Sequence, residues 1–272
     1  MIRYAFKTST WRPTELEWLR AANTISDTEQ TRISQFMFKR DAKQSMAGRL
    51  LMRTCFTNLS DQPAQTFRLD RDPSGKPYLV DPPSPLDSLS FNVSHAGDYA
   101  VLVGSCAAEV GVDVMKVELR RRTTIQQFFS NMTRQFTQHE WKNIYRPATE
   151  EEQLFNFYRH WCLKESFVKT VGTGLKFGLK RIEFDIGEME GQQCFTTNVA
   201  VDGSAVKEWR FEEIYHDNHI IATAIKLRPD SKDYKSSSLL EVMGFKDLFV
   251  NQAGLEDTSY FILFDAKKEV PG

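Results

Sequence analysis

Apolar residues recur at the spacing of an α-helix in the first third of the chain. Between residues 41 and 59, the apolar positions on one side of such a helix are Met46, Leu50, Leu51, Cys55 and Leu59. This period predicts a helix that packs one face against a core. Ser26 and Glu29 have the spacing of a capping box, in which the two residues bind each other's backbone amides, so a helix is also predicted to begin at Ser26.

Short runs with the composition of β-strands follow, at residues 89–93, 99–103 and 110–114. A turn near residues 105–108 predicts that the second and third runs form a hairpin, in which Asp113 pairs near Ala100. Ser94 and His95 lie in the loop before the second run, at the same end of the predicted sheet. The side chains of Ser94, His95 and Asp113 are therefore expected to be neighbours.

The second half of the chain mixes helical and strand patterns. A long helix is predicted over residues 151–171, ended by Gly172, because glycine readily adopts the left-handed conformation that closes a helix. Shorter helices are predicted over 125–129 and 137–145, and strands over 182–186, 194–201, 209–214 and 219–227. The polar composition after residue 228 predicts a tail, with one short amphipathic helix near 239–250.

This mixture of helices and antiparallel strands predicts an α+β fold. With 272 residues, the chain can form one large domain or two modest ones, each with its own core. The predicted division is an N-terminal lobe over residues 1–108, a C-terminal lobe over 109–228 and the tail over 229–272.

Glu165 interrupts the apolar stripe of the predicted 151–171 helix, whose other members are Leu154, Tyr158, Trp161, Val168 and Gly172. A carboxylate on an apolar face is costly unless it is paired or binds a cation. Lys169 follows one turn later, so one interpretation is an exposed ion pair worth a few tenths of a kcal/mol. The other is a partly buried acid that binds a metal or accepts a proton, beside a lysine that contacts a phosphate. Asp113 is similarly either a solvent-facing strand residue or a functional acid.

The amino-acid composition argues against several classes of function. Apolar residues make up 41% and charged residues 26% of the chain, as in ordinary globular proteins, and the formal net charge of -1 disfavours a nucleic-acid binder. The four cysteines form no CxxC pair, which argues against a zinc or redox site and suits a reducing compartment. Without a signal-peptide pattern or an apolar run long enough to cross a bilayer, a cytosolic protein with no membrane partner is expected.

Three motifs in order resemble those of the surfactin-type 4′-phosphopantetheinyl transferase family. The first joins Gly75-Lys76-Pro77 to Phe91-Asn92-Val93-Ser94-His95, and the second is Gly111-Val112-Asp113. The third is Trp161-Cys162-Leu163-Lys164-Glu165-Ser166-Phe167-Val168-Lys169. Each motif alone is weak, but the three in this order and spacing are specific. The resemblance covers residues 4–228, extends more loosely into the tail, and is greatest to the eukaryotic members of the family.

The resemblance implies a fold and an activity. The fold would be two lobes of pseudo-twofold symmetry, each a small, mostly antiparallel sheet packed with helices, with coenzyme A in the cleft between them. The activity would be transfer of the 4′-phosphopantetheine arm of coenzyme A to a serine of an apo carrier protein, with release of 3′,5′-ADP. A monomer is expected, because an internal duplication would build the cleft within one chain.

The resemblance also implies the site residues. Coenzyme A would contact Arg32, Arg71, Gly75, Lys76, Asn92, Ser94, His95, Glu165 and Lys169. Asp113 and Glu165 would hold Mg²⁺, and Glu165, Lys169 and His95 would act in catalysis, with Glu165 as the general base. Many members carry a second acid two residues after Asp113, where this chain has Met115, so water or another oxygen is expected to complete the magnesium shell.

The expected partners are apo acyl carrier protein domains, namely those of fatty-acid synthase, of a mitochondrial acyl carrier protein and of an aminoadipate-related enzyme. Two other functions stay open. A coenzyme A-dependent acyltransferase would use the thioester end of coenzyme A and would need an acyl pocket rather than a metal pair. A non-catalytic module that binds carrier proteins or coenzyme A would have no need of an intact set of Asp113, Glu165 and Lys169.

Overall fold

A computed structural model describes residues 1–119, 122–194, 197–229, 240–248 and 264–269. The described residues fall into two compact units. The first unit contains Met1–Cys106 together with the described part of Ser236–Gly272, and the second contains the described part of Ala107–Lys235. Each unit has its own cluster of buried apolar side chains, and therefore its own core.

Helices and strands are interspersed along the described residues, which confirms the predicted α+β class. In chain order the strands are β1 (Ile2–Lys7), β2 (Arg68–Arg71), β3 (Pro77–Val80), β4 (Ser90–Ala96), β5 (Tyr99–Ser105), β6 (Ala108–Lys116), β7 (Ile182–Asp185), β8 (Gln193–Cys194), β9 (Asn198–Val201), β10 (Ser204–Ala205), β11 (Trp209–His216), β12 (His219–Leu227) and β13 (Glu241–Met243). The α-helices are α1 (Glu15–Asn23), α2 (Asp27–Ser34), α3 (Lys39–Ser60), α4 (Ile125–Met132), α5 (Gln138–Tyr145) and α6 (Glu150–Val171). Within the described ranges, no helix is both long enough and apolar enough to span a bilayer.

The first unit is built around helix α3, which packs on a sheet of order β13-β1-β5-β4. Strand β5 is buried along its whole length, as its continuous apolar sequence predicts. The predicted helix over 41–59 is confirmed within α3, where Leu50 and Leu51 are fully buried. The predicted capping box is also confirmed, since Ser26 and Glu29 bind each other's backbone amides and open α2.

Residues that follow the second unit in the chain complete the first unit. β13 pairs in parallel with β1 at the edge of the sheet. Phe264 stacks on Trp18 with ring centroids 3.9 Å apart, and the Lys267 ammonium donates to the carbonyl oxygen of Ser34 at the end of α2. The predicted helix near 239–250 is wrong in its described part, because the backbone there pairs with β1 and then forms a single 3₁₀ turn.

Helix α6 is the centre of the second unit. It packs on β6 and β12 of a sheet of order β6-β12-β11-β8, while β10, β9 and β7 form a smaller sheet. The predicted helix over 151–171 is confirmed, and it ends at Gly172, whose φ of 76° lies in the left-handed region. The ring of Phe157 on this helix packs against those of Phe129 and Phe136.

The predicted hairpin of β5 and β6 is wrong. β5 pairs with β1 and β4 in the first unit, whereas β6 pairs with β12 in the second. Asp113 is therefore opposite Ala222 rather than near Ala100. Two apolar strands joined by a short turn look alike in sequence whether they share a sheet or enter separate sheets. The prediction that Ser94 and His95 are neighbours of Asp113 rested on this hairpin, and the observed strand pairing does not support it.

His160 of α6 is fully buried, and it is neutral. Its Nδ1 donates to the carbonyl oxygen of Asn156 at 2.8 Å, and its Nε2 has no hydrogen-bond partner among the described residues. Burial lowers the pKa of His160 to about 3, and the nearby charges of Arg159 and Lys164 act in the same direction. The residue is therefore part of the core rather than an acid–base group.

We expect the free energy of unfolding to fall as the pH drops below 6.5, because the unfolded chain then protonates His160 while the folded protein stays neutral there until about pH 3. This contribution is about 1.4 kcal/mol per pH unit over that window. Urea unfolding at several pH values would show it in the wild type and not in His160→Gln. His139→Gln, which changes a half-exposed histidine, should keep the wild-type slope. Equal slopes for His160→Gln and the wild type would contradict the assignment.

Candidate active site

Gly111 brings strand β6 into direct contact with helix α6. A Cβ atom at Gly111 would lie 2.4 Å from the carbonyl oxygen of Ser166 and 2.7 Å from the backbone nitrogen of Thr170. Atoms this close overlap, so glycine alone lets the strand lie against the helix backbone here. Asp113 is two residues further along β6 and therefore points to the same face, towards α6.

Asp113, Lys169 and Glu165 come together where β6 lies against α6. The ammonium nitrogen of Lys169 is 2.6 Å from Oδ1 of Asp113 and 3.2 Å from the carbonyl oxygen of Val112. The Asp113 side chain is 7% exposed and that of Lys169 is 27% exposed, so the pair lies at a partly open edge of the core. Glu165 precedes Lys169 by one helical turn, and the charge of Asp113 acts on its carboxyl group. The structure thus brings together the three residues of the second unit that the sequence singled out.

The carboxyl group of Glu165 lies in an unfavourable place for a negative charge. Its Oε1 is buried and accepts no hydrogen bond from any described residue. Burial raises the pKa of Glu165, the charge of Asp113 raises it further, and the Lys169 ammonium opposes both. Because Lys169 provides one positive charge for two carboxylates, a further cation would stabilise the cluster.

The oxygen donors of this cluster fit a magnesium ion. Mg²⁺ takes oxygen ligands and is commonly held by one or two carboxylates together with water and substrate phosphates. In the described parts of the chain, no group of three or more acidic, histidine or cysteine side chains could hold a metal, so Asp113 and Glu165 would supply two ligands of an open site. Met115 packs its side chain against the apolar core of the second unit and does not replace the acid found there in many family members.

The sequence did not reveal the role of Lys164, which lies in the third motif. Its side chain is fully buried and forms an ion pair with Glu140 at 2.8 Å. Its ammonium also donates to the carbonyl oxygens of Leu179 and Ile182, so all three of its protons are used. Glu140 in turn accepts from the backbone amide of Phe184. The pair ties α6 to α5 and to the start of β7, which makes Lys164 a structural residue.

Both arginines predicted to bind coenzyme A, Arg32 and Arg71, line one pocket of the first unit, the arginine pocket, with a volume of about 190 Å³. Arg32 lies on α2 and Arg71 at the end of β2, and both are exposed. A third arginine, Arg49 of α3, lines the same pocket and was not predicted. Sequence reasoning passed over Arg49 because it stands inside the apolar repeat of a core helix.

Gly75 and Lys76 lie in the turn that joins β2 to β3. Gly75 has a φ of 87°, which favours glycine at this position. Oδ1 of Asp72 accepts from the backbone amides of Ser74 and Lys76, and the guanidinium of Arg71 donates to the carbonyl oxygen of Gly75. These bonds hold the turn in one shape. The turn lies beside the arginine pocket, because Pro77, the residue after Lys76, lines that pocket.

Asn92, Ser94 and His95 lie on β4 of the first unit. Asn92 and Ser94 are buried and share one face of the strand, while His95 is exposed on the other face. His95 is opposite Ala100, near the end of the pairing between β4 and β5. The roles of these three residues in binding and catalysis stay predictions.

Known proteins resemble the chain along nearly its whole length. Residues 9–107 match the family model of the 4′-phosphopantetheinyl transferase N-terminal domain, and residues 109–224 match that of the 4′-phosphopantetheinyl transferase superfamily. The chain is 39% identical to the human L-aminoadipate-semialdehyde dehydrogenase-phosphopantetheinyl transferase, over 99% of this chain and 93% of the relative. It is 33% identical to a phosphopantetheinyl transferase of Thraustochytrium sp., over 82% of this chain and 77% of that protein. A 4′-phosphopantetheinyl transferase of Bacillus pumilus is 26% identical over 66% of each chain.

The chain belongs to the 4′-phosphopantetheinyl transferase superfamily.

It is a transferase that moves 4′-phosphopantetheine from coenzyme A to carrier proteins. Its second and third motifs are the segments that meet at the contact of β6 with α6, where Gly111 allows Asp113 to approach Lys169. The two halves of its first motif lie on the β2–β3 turn and on β4. The packing of one strand on one helix therefore explains why the second and third motifs occur together.

Replacing Gly111 by alanine should push β6 of the transferase away from α6, because the added methyl group would strike helix backbone that cannot rotate aside. Asp113 would then lose its contact with Lys169. We expect the transfer rate to fall about 10²-fold, as for a displacement of about 1 Å at a reacting centre. Steady-state kinetics with an apo carrier protein would measure the loss.

Gly48→Ala is the matched control for this change. Its added Cβ would lie 3.1 Å from a methyl group of Val93, which is a side-chain atom that can shift. We expect this variant to keep the wild-type rate. A wild-type rate in Gly111→Ala would show that the close approach of strand and helix is not needed.

Proposed function

We propose that the transferase holds Mg²⁺ with Asp113 and Glu165 and contacts the reacting phosphate of coenzyme A with Lys169. The observation that carries this proposal is the cluster itself, in which two carboxylates with little access to solvent share one ammonium. When bound, Mg²⁺ would neutralise charge on the phosphoryl oxygens of the substrate. Lys169 would add a fixed positive charge at the same place.

Glu165 is the proposed general base, acting directly or through a water molecule. The reaction joins the serine oxygen of the carrier to the β-phosphorus of coenzyme A, and the bond from that phosphorus to the bridging oxygen breaks as 3′,5′-ADP leaves with the electron pair. The serine must lose its proton as the new bond forms. Glu165 lies one helical turn from Lys169, the proposed contact of the reacting phosphate, so its carboxylate is near the place where that proton is released.

The first unit is proposed to bind the rest of coenzyme A. Arg32 and Arg71 suit its phosphates, because a guanidinium group can donate two parallel hydrogen bonds to a phosphate. Support comes from their position on one pocket. The remaining residues assigned to coenzyme A are Gly75, Lys76, Asn92, Ser94 and His95, and His95 is also assigned to catalysis.

The proposed partners are acyl carrier protein domains of fatty-acid synthase, of a mitochondrial acyl carrier protein and of an aminoadipate-related enzyme. The last is supported by the name of the human relative, which refers to L-aminoadipate-semialdehyde dehydrogenase. We propose the cytosol as the compartment. The four cysteines are all free thiols, and three of them are buried, which suits a reducing environment.

Intact-mass analysis of an apo carrier protein tests the proposal directly. After incubation with the enzyme, coenzyme A and Mg²⁺, the carrier should gain the mass of one phosphopantetheine. A chelator should stop the gain, and added Mg²⁺ should restore it. A mass gain that is unaffected by the chelator would contradict the metal assignment, and acyl transfer from an acyl-coenzyme A donor in its place would indicate an acyltransferase.

A further inference from the structure

The arginine pocket of the first unit is lined at its base by Arg49, a residue to which no motif gave a role. Arg32 and Arg71 stand at the exposed wall of the pocket, whereas the Arg49 side chain is only 7% exposed. The lining also contains two acids and four uncharged residues, namely Glu29, Asp70, Thr28, Met52, Leu69 and Pro77. A buried arginine at the base of an open pocket is costly, so the way it is held indicates what it does.

Arg49 is fixed from two sides. Its Nη1 donates to the carbonyl oxygen of Ser45 at 2.9 Å and to the hydroxyl oxygen of Ser45 at 2.5 Å. Its Nε is 3.4 Å from Oε1 of Glu29. The contact of Nε with Glu29 is an ion pair without a hydrogen bond, so neither Nε nor the second terminal nitrogen of the guanidinium has a hydrogen-bond partner among the described residues. The group is therefore preorganised, with donor capacity left for a ligand.

Glu29 does not neutralise this pocket, because its charge is shared with Arg53. Arg53 is 2% exposed, does not line the pocket, and donates to both carboxylate oxygens of Glu29. Burial alone would raise the pKa of Glu29, but Arg53 and Arg49 outweigh burial and lower it, so the carboxylate stays ionised. The three arginines that line the pocket, together with Arg53 behind Glu29, thus outnumber its two acids, Glu29 and Asp70.

The arginines also repel one another. Burial lowers the pKa of Arg49 to about 10; Glu29 opposes this shift, whereas the charges of Arg71, Arg32 and Arg53 add to it. Burial and Arg32 likewise lower the pKa of Arg71. An anion of more than one charge in the pocket would relieve this repulsion, and a neutral group would not.

We propose that Arg49 is a third phosphate-binding arginine, which recognises the 3′-phosphate of coenzyme A and makes the enzyme select coenzyme A over 3′-dephospho-coenzyme A. This inference rests on the proposed function of the site. The 3′-phosphate is a dianion with three terminal oxygens, which can accept from several guanidinium groups at once. The 3′-hydroxyl of dephospho-coenzyme A carries no charge and would leave the arginines unpaired.

The test compares coenzyme A with 3′-dephospho-coenzyme A as donors for an apo carrier protein. In Arg49→Met we expect the KM for coenzyme A to rise about 10- to 100-fold, as for loss of a charge-assisted hydrogen bond. The kcat for coenzyme A and both constants for dephospho-coenzyme A should stay close to the wild-type values. Arg68→Met is the matched control, because Arg68 lies on the same strand as Arg71, is exposed, pairs with Asp81 and does not line the pocket.

Direct binding keeps the test independent of turnover. Calorimetry should show that the wild type binds 3′,5′-ADP more tightly than 5′-ADP and that Arg49→Met loses this preference. If Arg49→Met does not fold, Arg49→Lys, which keeps the charge but loses the planar fork, should show an intermediate loss.

Equal weakening of both donors in Arg49→Met would assign Arg49 a structural role and overturn the inference. A wild type that uses both donors equally would also overturn it, while leaving the proposed function intact. If the wild type transferred from neither donor, the proposed function would fail, and the calorimetric preference would decide the role of Arg49 by itself.

Discussion

Replacing Glu165 by glutamine should lower the rate of phosphopantetheine transfer by about 10²–10⁴-fold, the range for loss of a general acid–base group. The amide keeps the shape of the side chain but neither accepts the serine proton nor holds a cation as a carboxylate does. The same change should raise the thermal stability of the metal-free protein, because it removes a buried charge beside Asp113.

The sign of the stability change follows from the pKa of Glu165. Burial and Asp113 raise this pKa, so the folded protein keeps the proton to a higher pH than the unfolded chain does. At neutral pH the ionised carboxylate therefore destabilises the folded state, and this cost disappears as the pH falls below the ordinary value of 4.5. Glutamine removes the cost at neutral pH.

Thermal unfolding with and without Mg²⁺ would separate the two effects. The wild type should gain stability from Mg²⁺, since a ligand that binds the folded state stabilises it, and Glu165→Gln should gain little. Glu151→Gln is the control, because Glu151 is exposed on the same helix and should keep both the activity and the response to Mg²⁺. An active Glu165→Gln enzyme that still responds to Mg²⁺ would refute the assignment.

Replacing Lys164 by methionine should reduce the free energy of unfolding by about 3–5 kcal/mol, the usual result of removing one partner of a buried ion pair. Methionine fills much of the same space but leaves the Glu140 carboxylate buried without its cation. It also leaves the carbonyl oxygens of Leu179 and Ile182 without the donor they share. Urea unfolding would measure the loss.

The pH dependence of this variant provides a second readout. Burial raises the pKa of Glu140 even in the wild type, where Lys164 opposes the shift. Without Lys164 the folded protein should take up a proton at Glu140 that the unfolded chain lacks, so the deficit should shrink as the pH is lowered from neutral towards the ordinary glutamate range. Lys180→Met, at an exposed lysine, should show neither effect. A deficit in Lys164→Met that is independent of pH would point to lost packing instead.

Local sequence patterns predicted single elements well and their pairing poorly. The helix predicted over 151–171 is α6, because capping residues, apolar period and Gly172 all act within a few residues of its ends. The strand predicted over 194–201 is instead β8 and β9, which belong to different sheets. Which sheet a strand joins depends on partners far along the chain, as β1 with β13 also shows, and no local pattern carries that information.

Local sequence patterns were also unable to show which residues of the site meet residues distant in the chain. Asp113 and Glu165 stood out because each is an acid in an otherwise apolar element, but their assignment to the site came from the motifs that resemble the transferase family. Lys164 and Lys169 belong to one motif, yet Lys164 pairs with Glu140 in the core and Lys169 with Asp113 at its edge. Which acid each lysine meets depends on how α5 and β6 pack against α6. Arg49 was missed for a related reason, since its partner Glu29 lies on another helix.

The late position of β13 in the chain has a consequence for biosynthesis. The ribosome makes β1 before the second unit, and it makes the strand that covers the edge of β1 only after the second unit. During that interval the nascent β1 edge presents unpaired backbone groups to any extended segment nearby, which is the usual start of misassembly. The first unit is therefore begun before the second unit and completed after it, so the growing chain would benefit from chaperone protection at the β1 edge.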